Sequence, residues 1–386
     1  MPHVSIWFKK HVMKIIIDDK IPYIRGAFEE MAEVIYLPGP KTTPGVVKDA
    51  DAIITRTRTI CNEALLKGSS VKFIATATIG YDHIDTGYCK QAGIEWTNAP
   101  GCNSKSVEQY IASALFVLAE KKGFQLKNKT IGIVGVGQVG SKVARICELF
   151  GMKVLLNDPP RERAEGPGQF VSLQKIMSEA DIITLHVPLN MTGEDATFHM
   201  ADSLFFSSLE RCPIVINSCR GEVMDSFAAE TALKGGMVSG MANDCWENEP
   251  DIDLNLLNLV DLATPHIAGY SKDGKANGTT MSVQAVSRFF KLGIDNWQAS
   301  GMEAPENPVV EINGEGLSEQ EVIKQAVLST YDIRMDDAEL RQNTTLFEKL
   351  RGDYPNRREF PAFTIVPKNI GKETLEVLRK LGFKIQ

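Results

Sequence analysis

The chain has 386 residues, 43% of them apolar and 24% charged, with 31 glycines and 18 prolines. That is the balance of a globular protein, and it excludes collagenous, mucin-like and disordered chains; at roughly 100 to 200 residues per domain it predicts two or three domains. Lys and Arg total 42 against 49 Asp and Glu, a net charge of −7, so no general attraction to nucleic acid or to an anionic membrane is expected, and an anionic ligand has to be met by a local cationic cluster.

The opening MPHVSIWFKKHV sets a short apolar patch ahead of Lys9 and Lys10, the reverse of a signal peptide's charge order. The longest apolar run, Ile111 to Ala119 with Ser113 inside it, falls far short of the roughly 20 residues of a membrane span. The seven cysteines, at 61, 89, 102, 147, 212, 219 and 245, show neither C-x-x-C nor zinc-type Cys/His spacing. They read as reduced thiols of a cytoplasmic protein, with no metal implied.

From Met13 onward short apolar runs alternate with helix-like segments: MKIIIDD, AIITRT at 52, KFIATAT at 72 and GIEWTN at 93. Such spacing predicts parallel strands with crossover helices. A predicted amphipathic helix over Ser104 to Lys122 leads into a second series: IGIVGVG at 131, MKVLLND at 152, DIITLHVP at 181, PIVINSC at 213 and VSGMAND at 238. Several of these runs are apolar on both faces, as strands covered by helices on each side should be. After Trp297, QASGMEAPENP reads as a linker. Residues 308–386 then read as a strand (VVEIN), a long helix from about Ser318, a second near Thr345, a strand (AFTIVP) and a closing helix and strand. The fold class is α/β: two doubly wound parallel-sheet domains, flavodoxin-like and Rossmann, plus a small α/β C-terminal domain.

Gly135, Gly137 and Gly140 form GVGQVG between the strand IGIV and a segment whose Val139, Val143, Ile146 and Phe150 recur at helical spacing. The three glycines serve the tight turn, the close approach of backbone to a pyrophosphate and the close helix-to-strand contact, with the phosphates at the helix N-terminus. Asp158 ends the next strand, where a carboxylate accepts from the ribose hydroxyls and repels a 2′-phosphate, favouring NAD over NADP. Arg161 and Arg163 follow closely and soften that preference.

Three further residues stand in short, unusual contexts: Arg220 in INSCRGE, Glu249 in DCWENEP and His266 in ATPHIAGY. All three follow strands or lie in loops on the ligand-binding edge of the second sheet. A guanidinium fork suits a carboxylate, an imidazole exchanges a proton near neutral pH, and a glutamate beside it orients the ring and stabilises its cation. Together they suit oxidation of a hydroxy acid. Of the other histidines, His83 and His186 sit at strand ends or turns and are weaker ligand candidates.

The order GVGQVG, Asp158, Arg220, Glu249, His266 resembles the D-isomer-specific 2-hydroxyacid dehydrogenases over residues 13 to about 297. ATATIGYDHID, NAPGCNSKSVEQY, HIAGYSKDGKANGT and TYDIRMDDAELR extend the resemblance to a three-domain branch of that family. The resemblance implies Arg220, Glu249 and His266 as catalytic residues. It implies Gly135, Gly137, Gln138, Val139, Gly140, Asp158, Val187, Ser218, Cys219, Arg220, Asp244 and Gly269 as contacts of an NAD cofactor. Thr57, Thr78, Arg220, His266 and Tyr270 are the implied substrate contacts. Thr57 stands where Ser is usual, keeping the hydroxyl; Val187 stands where Thr can occur.

The implied reaction is NAD-dependent oxidation of 4-phospho-D-erythronate to 3-hydroxy-2-oxo-4-phosphooxybutanoate, a step toward pyridoxal 5′-phosphate. Arg56 and Arg58, or Lys272 and Lys275, are candidates for the phosphate. Two other readings stay open: another D-2-hydroxyacid such as 3-phosphoglycerate as substrate, and an NAD-sensing scaffold of the corepressor type. The expected organisation is an N-terminal extension over 1–12, a discontinuous substrate-binding domain over 13–106 and 269–300, an NAD-binding domain over 107–268, and a C-terminal dimerisation domain over 301–386. The last has no His, no Cys and no glycine-rich phosphate loop, and is expected to serve homodimer assembly rather than chemistry. A chain starting at Met13 is expected to be fully active.

Overall fold

The computed structural model describes residues 12–355 and 357–386, so the expected extension lies, but for Val12, outside the described residues. The chain divides into two compact units, Met1–Asn103 with Asp273–Glu303, and Ser104–Lys272 with Ala304–Gln386. No helix among the described residues is long and apolar enough to cross a membrane.

In the first unit five strands, β1 (Lys14–Asp18), β2 (Glu33–Leu37), β3 (Ala52–Thr55), β4 (Phe73–Thr76) and β5 (Glu95–Thr97), pair in the order β2-β1-β3-β4-β5. All pairs are parallel, giving the flavodoxin-like order. Successive side chains of a strand face opposite ways. Ile15 and Ile17 therefore join Phe28, Val283 and Val286 in one core layer, while Ile16 joins Val47, Leu66 and Cys89 in the other. The loops after β3 and β4 carry Thr57 and Thr78.

In the second unit β6 (Thr130–Val134), β7 (Lys153–Asn157), β8 (Ile182–Leu185), β9 (Ile214–Asn217), β10 (Gly240–Asn243) and β11 (Leu262–Ala263) form a parallel sheet in the order β11-β10-β9-β8-β6-β7. A parallel bridge between Leu156 and Phe170 adds a vestigial strand beyond β7, completing a Rossmann order. The order in which strands are added reverses between β6 and β8, and in open α/β sheets ligands bind at that switch point, beyond the carboxyl ends of the strands.

The helix Ser104–Lys122 departs from the amphipathic expectation, because it is buried without interruption from Ser106 to Ala119. It packs against the helices Glu319–Thr330 and Ile333–Gln342 of the C-terminal segment, so its polar side chains needed partners rather than water. Glu108 pairs with Arg145, Gln109 donates to Thr330 Oγ1 at 3.2 Å and to the Arg358 carbonyl at 3.0 Å, and Ser113 accepts from the Ile333 N–H at 3.1 Å. The long helix expected from Ser318 is these two helices. It breaks at Tyr331, which is extended, and restarts on Asp332, whose side chain accepts from the Arg334 N–H. A parallel sheet β12-β13-β14 (Val309–Asn313, Thr364–Lys368, Lys384–Ile385) completes this segment. Ile312, Val322, Val327 and Ile365 share one hydrophobic core with Ile111 and Leu115.

His186, directly after β8, is half-buried with Nε2 on Thr184 Oγ1 at 3.0 Å, and loss of solvent around the ring pushes its pKa down to about 3. It therefore stays neutral in the fold while the unfolded chain's histidine charges below about 6.5. Between those values the unfolded state binds the extra proton, so this contribution lowers stability as pH falls. In denaturant unfolding, the wild type should lose roughly 2 kcal/mol more than His186→Gln between pH 6.5 and 5; parallel losses would show that His186 protonates in the fold.

Candidate active site

The glycine loop joins β6 to the helix Gly140–Leu149. Gly135 has φ +86°, a conformation that suits glycine, and a Cβ there would lie 2.7 Å from the His186 backbone. At Gly140 a Cβ would lie 2.0 Å from the Gly135 carbonyl oxygen, so any side chain drives the helix off the strand. Gly137 and Gln138 are exposed, and Val139 is half-buried before the helix. Asp158 does more than end a strand. Its Oδ2 accepts the Val136 N–H at 2.8 Å and its Oδ1 the Arg161 N–H at 3.1 Å, fixing the loop and capping the helix Pro159–Glu165.

Arg161 and Arg163, expected to soften the preference for NAD, are both engaged. Arg161 sets its fork on Glu165 at 2.6 and 2.8 Å and donates to the Val136 carbonyl, and Arg163 pairs with Glu194 and Asp195. Val187 lies against Gly135. Ser218 Oγ is buried with no hydrogen-bond partner in the protein, as a hydroxyl awaiting a ligand would be. The Cys219 N–H donates to Asn217 Oδ1 at 3.2 Å, and burial pushes the Cys219 thiol up to about 11. A cradle that a single Cβ would fill, together with an orphaned buried hydroxyl in the loop after β9, fits a dinucleotide.

The three expected catalytic residues follow three consecutive strands: Arg220 after β9, Glu249 after β10 and His266 after β11. Arg220 Nη1 donates to the Cys219 carbonyl at 2.8 Å. A Cβ on the next residue, Gly221, would lie 2.0 Å from the Trp246 carbonyl, so the Arg220 turn abuts the loop that carries Glu249. His266 Nδ1 sits 3.0 and 2.8 Å from the two Glu249 oxygens. A carboxylate only accepts, so Nδ1 carries the hydrogen and Nε2 the lone pair. Glu249 Oε1 also accepts the Trp246 N–H at 2.9 Å.

Burial pushes the Glu249 carboxyl up, but the hydrogen bond and charge of His266, the Trp246 N–H and the Arg351 charge outweigh it, and the net shift is downward. A negative Glu249 therefore faces the imidazole. His266 has φ +55°, a left-handed conformation that is costly for a non-glycine residue and persists only where its surroundings enforce it. The Asp244 carboxylate holds it: Oδ1 accepts from Thr264 Oγ1 and the Ile267 N–H, both at 2.7 Å, and Oδ2 accepts from the Ala268 N–H at 2.9 Å. Burial raises the Asp244 pKa against the pull of His266 and these donors. Gly269, half-buried, follows this loop.

Tyr270 hydroxyl accepts from Arg351 Nε at 3.2 Å, and Arg351 Nη1 lies 3.4 Å from Glu249 Oε2. Arg351 belongs to the C-terminal segment that was expected to take no part in the chemistry, and nothing in LFEKLRGDY distinguishes it from a solvated helix face. The Cys245 thiol lies within 4.8 Å of the facing atoms of Glu249 and His266, but burial holds it well above its ordinary range and His266 Nδ1 is committed to Glu249, so the trio is a poor metal donor set as it stands. His186 Nδ1, like Ser218 Oγ, is buried with no hydrogen-bond partner in the protein. In the other unit Thr57 is exposed, while Thr78 Oγ1 contacts Thr76 Oγ1 at 2.7 Å and donates to the Gly80 carbonyl at 2.9 Å. Arg56 Nη1 donates to the Lys20 carbonyl at 3.2 Å.

Residues 105–268 match the family model for the NAD binding domain of D-isomer specific 2-hydroxyacid dehydrogenases, and residues 304–382 match one described as a domain of unknown function. The erythronate-4-phosphate dehydrogenase of Bacteroides fragilis is 53% identical over 92% of this chain and 99% of its own; that of Escherichia coli O157:H7 is 42% identical over 96% and 98%. Among solved structures, the D-lactate dehydrogenase of Aquifex aeolicus, complexed with NAD and lactic acid, is 27% identical with a TM-score of 0.59, over 73% of this chain and 96% of its own. The 3-phosphoglycerate dehydrogenase of Entamoeba histolytica, with NAD+ bound, is 25% identical with a TM-score of 0.61, over 75% and 99%. With the dinucleotide cradle and the Glu249–His266 pair in place and this similarity running nearly end to end, the chain belongs to the erythronate-4-phosphate dehydrogenase family, a branch of the NAD-dependent D-isomer-specific 2-hydroxyacid dehydrogenases.

Proposed function

We infer that this dehydrogenase oxidises 4-phospho-D-erythronate at C2 to 3-hydroxy-2-oxo-4-phosphooxybutanoate, serving pyridoxal 5′-phosphate biosynthesis in the cytoplasm. The reading rests on the names of its relatives, and the observation that carries the chemistry is the hydrogen bond between His266 Nδ1 and Glu249. Arg220 receives the substrate carboxylate on its planar fork. His266 Nε2 accepts the C2 hydroxyl proton. Glu249 stays negative and stabilises the imidazolium so formed. NAD, when bound, supplies the acceptor for the hydride leaving C2. Thr57, Thr78 and Tyr270 are the proposed contacts to the substrate's oxygens, and Arg56 and Arg58, or Lys272 and Lys275, the proposed surroundings of its phosphate.

Purified enzyme is expected to reduce NAD with 4-phospho-D-erythronate and not with 3-phosphoglycerate or D-lactate, followed as NADH absorbance. His266→Gln should lower kcat by about 100-fold or more while leaving NAD affinity unchanged. Near-normal turnover of that variant would remove His266 as the base.

Gly140→Ala is expected to cost about 1–3 kcal/mol of stability by overpacking and to weaken NAD binding, measured by quenching of protein fluorescence. Asp158→Ala should narrow the preference for NAD over NADP. An unchanged ratio would place discrimination elsewhere.

The proposal includes a homodimer formed through residues 301–386. Light scattering on the full chain should give twice the chain mass, and a monomer at micromolar concentration would contradict it.

A further inference from the structure

We infer that Arg351 is a positioning residue of the active site: its guanidinium fixes the Glu249 carboxylate and the Tyr270 phenol relative to each other and, as a second cation on Glu249, limits the negative charge offered to His266. This rests on the dehydrogenase reading for its chemistry, but its geometry does not. Arg351 lies in the short helix Phe347–Gly352. Phe347, fully buried, and Leu350, partly buried, fasten that helix to the core cluster holding Trp246, Ile252 and Leu256. This anchors the helix to the loop that carries Glu249. Arg351 and Glu249 side chains are only 28% and 15% exposed, so their interaction is less screened than a surface pair's.

A guanidinium has no acceptor, so Tyr270 Oη accepts from Arg351 Nε, and the Tyr270 ring is flanked edge-on by Tyr354, whose hydroxyl donates to Asp336 at 2.7 Å. Burial alone lowers the basicity of Arg351, but Tyr270 and Glu249 overcome this and hold the proton more firmly. The cation is permanent. Glu249 therefore divides its two oxygens among the Trp246 N–H, His266 and Arg351. Around this pair the other ionisable groups are Asp244, which interacts electrostatically with His266, Cys245, a buried thiol, Arg220, which acts on Cys245, and Glu348, beside Arg351. Among the described residues Arg351 is the group of the C-terminal segment with a hydrogen bond to a catalytic side chain.

Removing this cation leaves the imidazolium as the remaining cationic partner of Glu249. His266 then keeps its proton to higher pH, and oxidation, which needs the neutral ring, loses its low-pH activity first. The test uses full-length wild type, Arg351→Gln and Arg351→Lys, with ring-carbon-labelled histidine followed by NMR. The protein has six histidines, and the resonance missing from His266→Gln identifies the relevant one. In Arg351→Gln that resonance should titrate at higher pH than in the wild type. Its kcat/KM should fall roughly three- to tenfold more at pH 6 than at pH 9, with NAD affinity within about twofold.

Arg351→Lys keeps the charge but not the fork, and should retain the wild-type titration with reduced kcat. A titration unmoved in Arg351→Gln, with activity lost equally at all pH, would reduce Arg351 to a structural anchor. An unmoved titration with only KM for the phosphorylated substrate raised would make it a phosphate ligand; either overturns the inference. If Arg351→Gln fails to fold by circular dichroism, Arg351→Lys decides: full kcat overturns the inference, reduced kcat with an unmoved titration supports it. A displaced titration in an enzyme inert toward 4-phospho-D-erythronate would support the positioning and refute the substrate instead.

Discussion

One buried carboxylate organises the second unit. Asp244 is 1% exposed, and a charge so placed is tolerated only when donors surround it. Those donors come from the segment that carries His266: the Thr264 hydroxyl and the Ile267 and Ala268 N–H groups. Closing that segment around Asp244 leaves His266 at its apex with a left-handed backbone. The arrangement is braced from behind. Tyr110 of the buried helix donates to Thr264 Oγ1 at 2.9 Å, which frees the threonine hydrogen for Asp244. On the far side the Arg357 guanidinium donates to the Ala268 carbonyl and stacks 4.4 Å from the Tyr331 ring. Sheet, buried helix and C-terminal segment thus converge on one loop.

The charge distribution follows a single logic. The imidazole carries its lone pair outward because Glu249 claims the other nitrogen, and Glu249 stays negative at a half-buried position because a backbone N–H, the His266 ring and the Arg351 guanidinium answer it. Asp158 obeys the same rule at the other end of the site. Its two oxygens are taken up by the backbone of the glycine loop and of the following helix, which fixes the carboxylate in place. Neighbouring arginines are neutralised by Glu165, Glu194 and Asp195, and so offer little to a 2′-phosphate.

The parts legible in the sequence were those encoded locally. A glycine triplet between strand and helix, an acid at the end of the next strand, and Arg220, Glu249 and His266 just past strand ends need only the period of the apolar pattern to be placed. What escaped was encoded at a distance. Ser104–Lys122 looked amphipathic because Glu108, Gln109 and Ser113 punctuate it, yet each is matched by a group far along the chain. Nothing in the sequence marks Arg351, because its two partners are about 80 and 100 residues away. The break at Tyr331 was readable in principle, since Asp332 is a helix-capping residue, but the apolar spacing on either side ran through it without a change of phase.

The chain leaves the second unit at Lys272, builds the rest of the first, and returns only at Ala304. Proteins are made from the N-terminus and their domains fold as they emerge. Every residue proposed for the reaction is synthesised before the C-terminal segment that braces the His266 loop. A polypeptide cut short near residue 303 would hold every residue proposed to react, but Gln109 and Ser113 would lose their partners and Glu249 its guanidinium. Because the brace comes last, the Arg357 contact to the Ala268 carbonyl and the Arg351 contact to Glu249 form only once the C-terminal segment has been made.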